Sequence, residues 1–184
     1  MQSAITAEVV EPYAEALMSL TKSEDITDEV AYSVRELKNL FEDSDDLRIF
    51  FASPLVSVED KKEVIRKIAE GQVHPFLLNF LLLLVDRKRI RFVEGIFSKY
   101  LEIVRQLNNV VLAEVTSAVR LYEGEAEKLV EKIKQLTGAS DVEIQTKIDP
   151  DIIGGVIIKV GSQVYDASLK GQLRRISFSM LGKA

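Results

Sequence analysis

The residues of this chain equipped for chemistry gather near its end. Between Asp149 and Ile176 stand the glycines Gly154, Gly155 and Gly161, the cation Lys159, and the polar pair Asp166 and Ser168. Glycines beside an apolar strand and a helix raise the prospect of a phosphate cradle, in which backbone amides and a lysine hold a nucleotide. That chemistry has spacing requirements which this stretch does not meet. A phosphate loop closes with Lys-Ser or Lys-Thr at a helix start. Here Gly154-Gly155 leads into the apolar run Val156 to Val160, and Gly161-Ser162 leads into a short extended piece, Gln163 to Tyr165. The glycines are expected instead to permit a bulge, a positive φ or the close approach of another backbone. Ser168 would need a histidine to activate it, and none is near in sequence. A helix starting at Asp166 or Ser168, with the side-chain oxygen capping free amides, accounts for both residues.

Three other groups could do chemistry, and each has a simpler role. The acids Asp43, Asp45 and Asp46 lack the alternating ligands and central glycine of a calcium loop and read as a solvated helix start. The cations Arg87, Lys88, Arg89 and Arg91 could meet phosphate but read as a charged turn between two helices. His74, the one histidine, precedes Pro75 and reads as a helix-start residue. There are no cysteines, which removes disulfides, thiolate metal sites and cysteine nucleophiles. No catalytic, cofactor-binding or metal-binding residue is assigned, and no cofactor is expected.

The elements around these residues fall into two kinds. Val9, Tyr13, Leu17 and Leu20 are spaced as on a helix, and Ala14 and Ala16 widen the apolar surface beyond one stripe. Thr27 is expected to cap a second helix striped by Val30, Val34, Leu37 and Phe41. A brief helix comes next and runs to Ala52, then a break at Ser53-Pro54, and Ser57 to Asp60 reads as a capping box for a fourth helix. Phe76 to Val85 is apolar nearly all round, which marks a central helix or one facing a partner. At about half the ~20 residues of a bilayer span, it is too short to cross. Ile90 to Leu107 is the longest amphipathic helix. From Val110 the period changes: strand, helix (Glu123 to Leu136), alternating strand (Val142 to Ile148), two more strands, and a last helix on Leu169, Leu173, Ile176 and Met180. The expected fold is mainly α with a small α/β part: an N-terminal six-helix bundle over residues 1–109, then a small C-terminal α/β domain over 110–184.

Net charge is −5. Residues 1–72 hold 8 Lys and Arg against 16 Asp and Glu. Such a chain is a poor nucleic-acid binder. The N-terminus shows no signal-peptide pattern, and the protein is expected to be soluble in its own right. Much apolar helical surface without a catalytic constellation favours an interaction protein.

The signature Ile153-Gly154-Gly155-Val156-Ile157-Ile158-Lys159-Val160-Gly161, with Asp166, Ser168, Leu173 and Ile176 after it, resembles that of the δ subunit of F-type ATP synthases, the family of the mitochondrial oligomycin-sensitivity-conferring protein. Pro12 to Leu17, Phe51 to Pro54 and Asp86 to Ile90 resemble further family positions, and Glu11 to Leu20 is most similar to cyanobacterial members. The resemblance implies a non-catalytic stator. Its N-terminal domain would hold N-terminal helices of α subunits in a groove between the first and fifth helices, with Tyr13, Ala14, Ala16, Leu17, Leu78 and Leu82 as groove residues. Its C-terminal domain would hold b-type peripheral-stalk subunits. It also implies a monomer when free, peripheral to the cytoplasmic face of a cyanobacterial thylakoid membrane through its complex. A small nucleotide-binding enzyme or a generic adaptor is the alternative.

Overall fold

The computed structural model describes residues 2–181, with side chains at 8–122 and 124–178. Helices come first: α1 (Gln2–Ser23), α2 (Thr27–Asp43), α3 (Asp45–Ala52), α4 (Val58–Ala69), α5 (Pro75–Asp86) and, after a 3₁₀ turn at Ile90–Phe92, α6 (Val93–Leu107). The order then becomes β1 (Val110–Ser117), α7 (Glu123–Thr137), β2 (Asp141–Ile148), β3 (Val156–Val160), β4 (Gln163–Asp166) and α8 (Leu169–Leu181). The chain is mainly helical with a small four-stranded sheet in its C-terminal part. It divides into two compact units, Met1–Val104 and Arg105–Ala184. The last turn of α6 thus belongs to the second unit. Arg105 donates to Glu143 of β2 at 3.2 Å, and Asn109 and Ser140 are joined by both backbone and side-chain hydrogen bonds.

In the first unit the helical stripes meet as one core. Val10, Ala14 and Leu17 of α1, Val34 and Phe41 of α2, Leu77, Leu81 and Leu84 of α5, and Ile96, Phe97 and Tyr100 of α6 are all buried. Burying each large side chain of this kind stabilises by roughly 1.5–3 kcal/mol. Tyr100 brings a hydroxyl into that core and satisfies it. The hydroxyl lies 3.1 Å from the Thr21 hydroxyl, which itself donates to the Met18 carbonyl, and 3.4 Å from the Thr27 carbonyl. Such a buried bond contributes about 1 kcal/mol net.

Local signals hold at most helix starts. Ser57 accepts the Asp60 amide, and its own hydroxyl bonds the Asp60 carboxylate. His74 caps α5 through Nδ1, which accepts the Phe76 amide. Ser44 caps α3, and Asp45 pairs with Arg48, so the acidic cluster is a helix start. Thr27 differs from expectation: it is the first residue of α2, Ile26 is the N-cap, and no side chain caps the end. The preceding turn, with Asp25 at positive φ and the Ile26 amide bonded to Thr21, swings the apolar Ile26 toward the core. Packing has displaced the cap.

In the second unit, β1 pairs in parallel with β2, which the α7 crossover requires, and antiparallel with β3, while β3 pairs antiparallel with β4. The sheet order is β2-β1-β3-β4. Val111, Ala113 and Val115 share one face with Val142 and Ile158, and Ile133, Leu129 and Val130 of α7 cover it. The other face carries Glu114 and Lys159, directly paired across the strands with their charges 3.0 Å apart. The period-2 pattern of these strands thus sorts one dry face from one wet face.

Candidate functional site

The Gly154–Ile176 stretch folds into an interlocked junction. The Leu169 amide donates to the Gly154 carbonyl at 2.9 Å, and the Ala167 amide to the Val156 carbonyl at 3.0 Å. The 166–169 segment therefore lies against the entry to β3. Gly155 sits in the middle at φ 76°, where a Cβ would collide with the Ala167 carbonyl and lie 3.2 Å from the Ser168 Cα. Gly161, at φ 58°, opens the two-residue turn between β3 and β4, which suits the primed turns that match strand twist. Asp166 Oδ1 accepts both the Ser168 amide, at 2.9 Å, and the Ser168 hydroxyl, at 2.6 Å. The Ser168 oxygen accepts the Gly171 amide at 3.0 Å and so caps α8. The polar groups of the motif hold a strand, a turn and a helix together. Lys159 points its ammonium to Glu114 on the wet face of the sheet.

The Ser168 hydroxyl and amide, with Arg175 and Arg174 adding attraction, hold the Asp166 carboxyl below its ordinary value of 3.8. A folded pKa below the unfolded one contributes stability that is present above the unfolded value, and that is lost as pH falls through the folded value. The second unit is therefore expected to lose protection against hydrogen exchange as pH drops below about 4. Asp166→Asn should flatten that acid limb. An unchanged slope in the variant would show that the carboxylate does not sense folding.

The remaining candidate surfaces are apolar. On α8, Leu169, Leu173 and Ile176 fall at i, i+4 and i+7, the last helical stripe read from the sequence. All three are exposed, Leu173 by 56%. The Met180 side chain, assigned to the same stripe, lies outside the described ones. Ile153, held at φ 71°, is exposed beside this helix start. A β-branched residue in that conformation is costly.

In the first unit the sequence-assigned groove residues separate. Ala14 is 0% exposed and Leu17 is 1% exposed; both are core, because they lie on the α1 face that meets α2 and α6. Ala16 is exposed and Tyr13 half-buried. The Tyr13 ring meets Phe80 of α5 edge-on, with centroids 6.5 Å apart. That contact fixes which flank of α5 borders α1. Phe76, Phe80 and Leu83 stand at i, i+4 and i+7 on that flank, with Phe76 36% and Leu83 42% exposed. Leu78 and Leu82 lie roughly 160° around the helix from Phe80 and are half-buried against the core. Sequence reasoning passed over Phe76 and Leu83 because a helix apolar all round does not mark its own faces.

The family model for the ATP synthase delta (OSCP) subunit matches residues 9–180. The chain belongs to that family. The family is one of stalk subunits, not themselves catalytic, in a complex that synthesises ATP. Its relatives include the ATP synthase subunit delta of Crocosphaera subtropica, 52% identical over 98% of this chain and 97% of the relative. That of Trichodesmium erythraeum is 51% identical over 97% of this chain and 98% of the relative. A chain in the cryo-EM structure of the Toxoplasma gondii mitochondrial ATP synthase hexamer shares the fold, with a TM-score of 0.74, 21% identity, and coverage of 94% of this chain and 97% of its own. Among the described residues, no helix is long and apolar enough to cross a membrane.

Proposed function

We propose that this chain clamps the catalytic head of an F-type ATP synthase to its peripheral stalk. Its N-terminal helices, over residues 1–109, act as a six-helix bundle that receives an amphipathic N-terminal helix of an α subunit. The C-terminal part, over 110–184, receives the ends of b-type stalk subunits. The observation that carries the reading is exposed apolar side chains at helical spacing on each unit, Phe76 and Leu83 flanking the buried Phe80 on one and Leu169, Leu173 and Ile176 on the other, with no catalytic group beside either among the described residues. A stator must resist torque without doing chemistry, so it requires apolar area and two points of attachment. Two weak anchors on one chain act at high effective concentration, which multiplies the overall hold.

The N-terminal groove in this reading is edged by Tyr13 and Ala16 on one side and by Phe76, Phe80 and Leu83 on the other. A small residue at Ala16 admits an incoming helix, and the aromatic rings supply anchor area. On α8, Leu169, Leu173 and Ile176 form the matching stripe for a stalk helix. Cyanobacterial relatives support a position peripheral to the thylakoid membrane, on its cytoplasmic face, reached through the complex.

Calorimetry with a peptide from an α-subunit N-terminus, and separately with the C-terminal segment of a b-type subunit, tests both halves. Saturable binding of each is expected. The second should be lost in Leu169→Asp/Leu173→Asp while the first persists. If neither peptide binds the folded chain, the clamp reading fails.

A further inference from the structure

A cleft of about 660 Å³ opens in the first unit between the Ala52–Val58 connection, the first turn of α4 and the Arg87–Arg91 turn. Lys61, Arg87, Lys88, Arg89 and Arg91 line it, and no acidic residue does. This segregation runs against the composition around it, because residues 1–104 hold 13 Lys and Arg against 19 Asp and Glu. Lys61 is committed to the fold: its ammonium donates to the Phe51 and Ser53 carbonyls at 2.9 and 2.7 Å, and burial lowers its pKa. The other four cations have no such duty. None of them makes an ion pair among the described residues. Arg91 rests its guanidinium 4.5 Å from the Phe92 ring centre.

Lys88 adds a second, independent observation. It sits at φ 55°, just past the end of α5, where the Lys88 and Arg89 amides close the helix onto Val85 and Leu84. That position favours glycine, and a side chain there strains the backbone. The chain holds a lysine where its fold would be better served by none. The strain brings a charge to the rim of a cleft already rich in cations.

The floor decides what kind of anion fits. Pro54, Val56 and Val58 give it its accessible aliphatic surface, with Val85 and Ile90 buried beneath, and Leu55 beside it is 94% exposed. A phosphate site is a compact nest of backbone amides. Flexible cations around an extended apolar floor suit a longer ligand whose charges alternate with apolar groups. We propose that this cleft binds an extended acidic segment of a partner polypeptide, its carboxylates on Arg87, Lys88, Arg89 and Arg91 and its apolar side chains on the aliphatic floor. The inference goes beyond the helix clamp and does not depend on it, since the groove at Tyr13 and Phe80 is formed by other residues.

The test is a titration of the ¹⁵N-labelled full chain with a capped octapeptide of alternating glutamate and leucine. Saturable amide shifts are expected at 53–61 and 87–91 while those around Tyr13 and Phe80 stay still. The dissociation constant should weaken about tenfold as salt rises from about 50 to about 300 mM. Lys88→Gly should bind more weakly yet melt at a higher temperature, a combination that a purely structural lysine would not produce. Lys88→Glu/Arg89→Glu should abolish the shifts. Any of four results overturns the proposal: no shift in either segment, equal shifts with a lysine–leucine peptide, tighter binding of pyrophosphate at the same amides, or binding of phosphatidylserine vesicles through them in preference to the peptide.

Discussion

Phe76→Asp/Leu83→Asp is expected to weaken binding of an α-subunit N-terminal helix by at least about 100-fold while leaving the free chain folded. Each side chain stands partly exposed on the flank of α5 that Tyr13 marks, so removing it leaves no sealed cavity behind. In a docked complex the same positions would be covered. Burying an unpaired carboxylate against an apolar helix, on top of losing a hot-spot contact of about 2 kcal/mol or more, predicts that scale. Calorimetry with the peptide reads the affinity, and circular dichroism reads the fold. Leu82→Asp makes the informative contrast. It lies on the other flank and packs against the core, so it should lower the melting temperature by several degrees, as a loss of about 1–3 kcal/mol would. If the double variant binds like the parent, the groove on the Phe80 flank is not where the helix docks.

Gly155→Ala is expected to destabilise the second unit by roughly 3 kcal/mol or more. Two costs act together there. An alanine at φ 76° incurs the left-handed penalty of about 1–2 kcal/mol, and its methyl group meets the backbone of Ala167 and Ser168, which cannot rotate away, for about 1–3 kcal/mol more. Gly161→Ala incurs only the first cost, since open space surrounds it. Gly124→Ala incurs neither and, inside a helix, should stabilise by up to about 1 kcal/mol. Hydrogen exchange at β1 and β3 resolves this ranking within the second unit, while the amides of α2 and α6 report the first. Equal effects at Gly155 and Gly161 would mean that the Ala167 backbone does not crowd β3.

These two experiments separate what the motif does from what the surfaces do. The glycines, Asp166 and Ser168 looked like chemistry, and the structure uses all of them in a strand–turn–helix junction. A motif of this kind identifies a family because few residues satisfy its backbone requirements. It need not touch any partner. The exposed apolar surfaces are made of ordinary leucines, isoleucines and phenylalanines, whose significance depends on where they end up.

Periodicity alone determined much of this protein. The change from helical to alternating patterns after Asn109, the order of strands and helices beyond it, and the helix-start roles of Ser57 and His74 were all legible, because each depends on neighbours within a few residues. The signature around Gly154 was legible as family membership for the same reason. The tertiary structure alone decided which apolar residues go to the core. Ala14 and Leu17 are equivalent in pattern to Tyr13 and Ala16 yet buried, and Leu169, Leu173 and Ile176 carry a core-like stripe yet stand in the open. Sequence spacing tells which residues share a face, but not whether another helix covers it. That is settled by contacts between segments far apart in the chain, such as Tyr13 against Phe80.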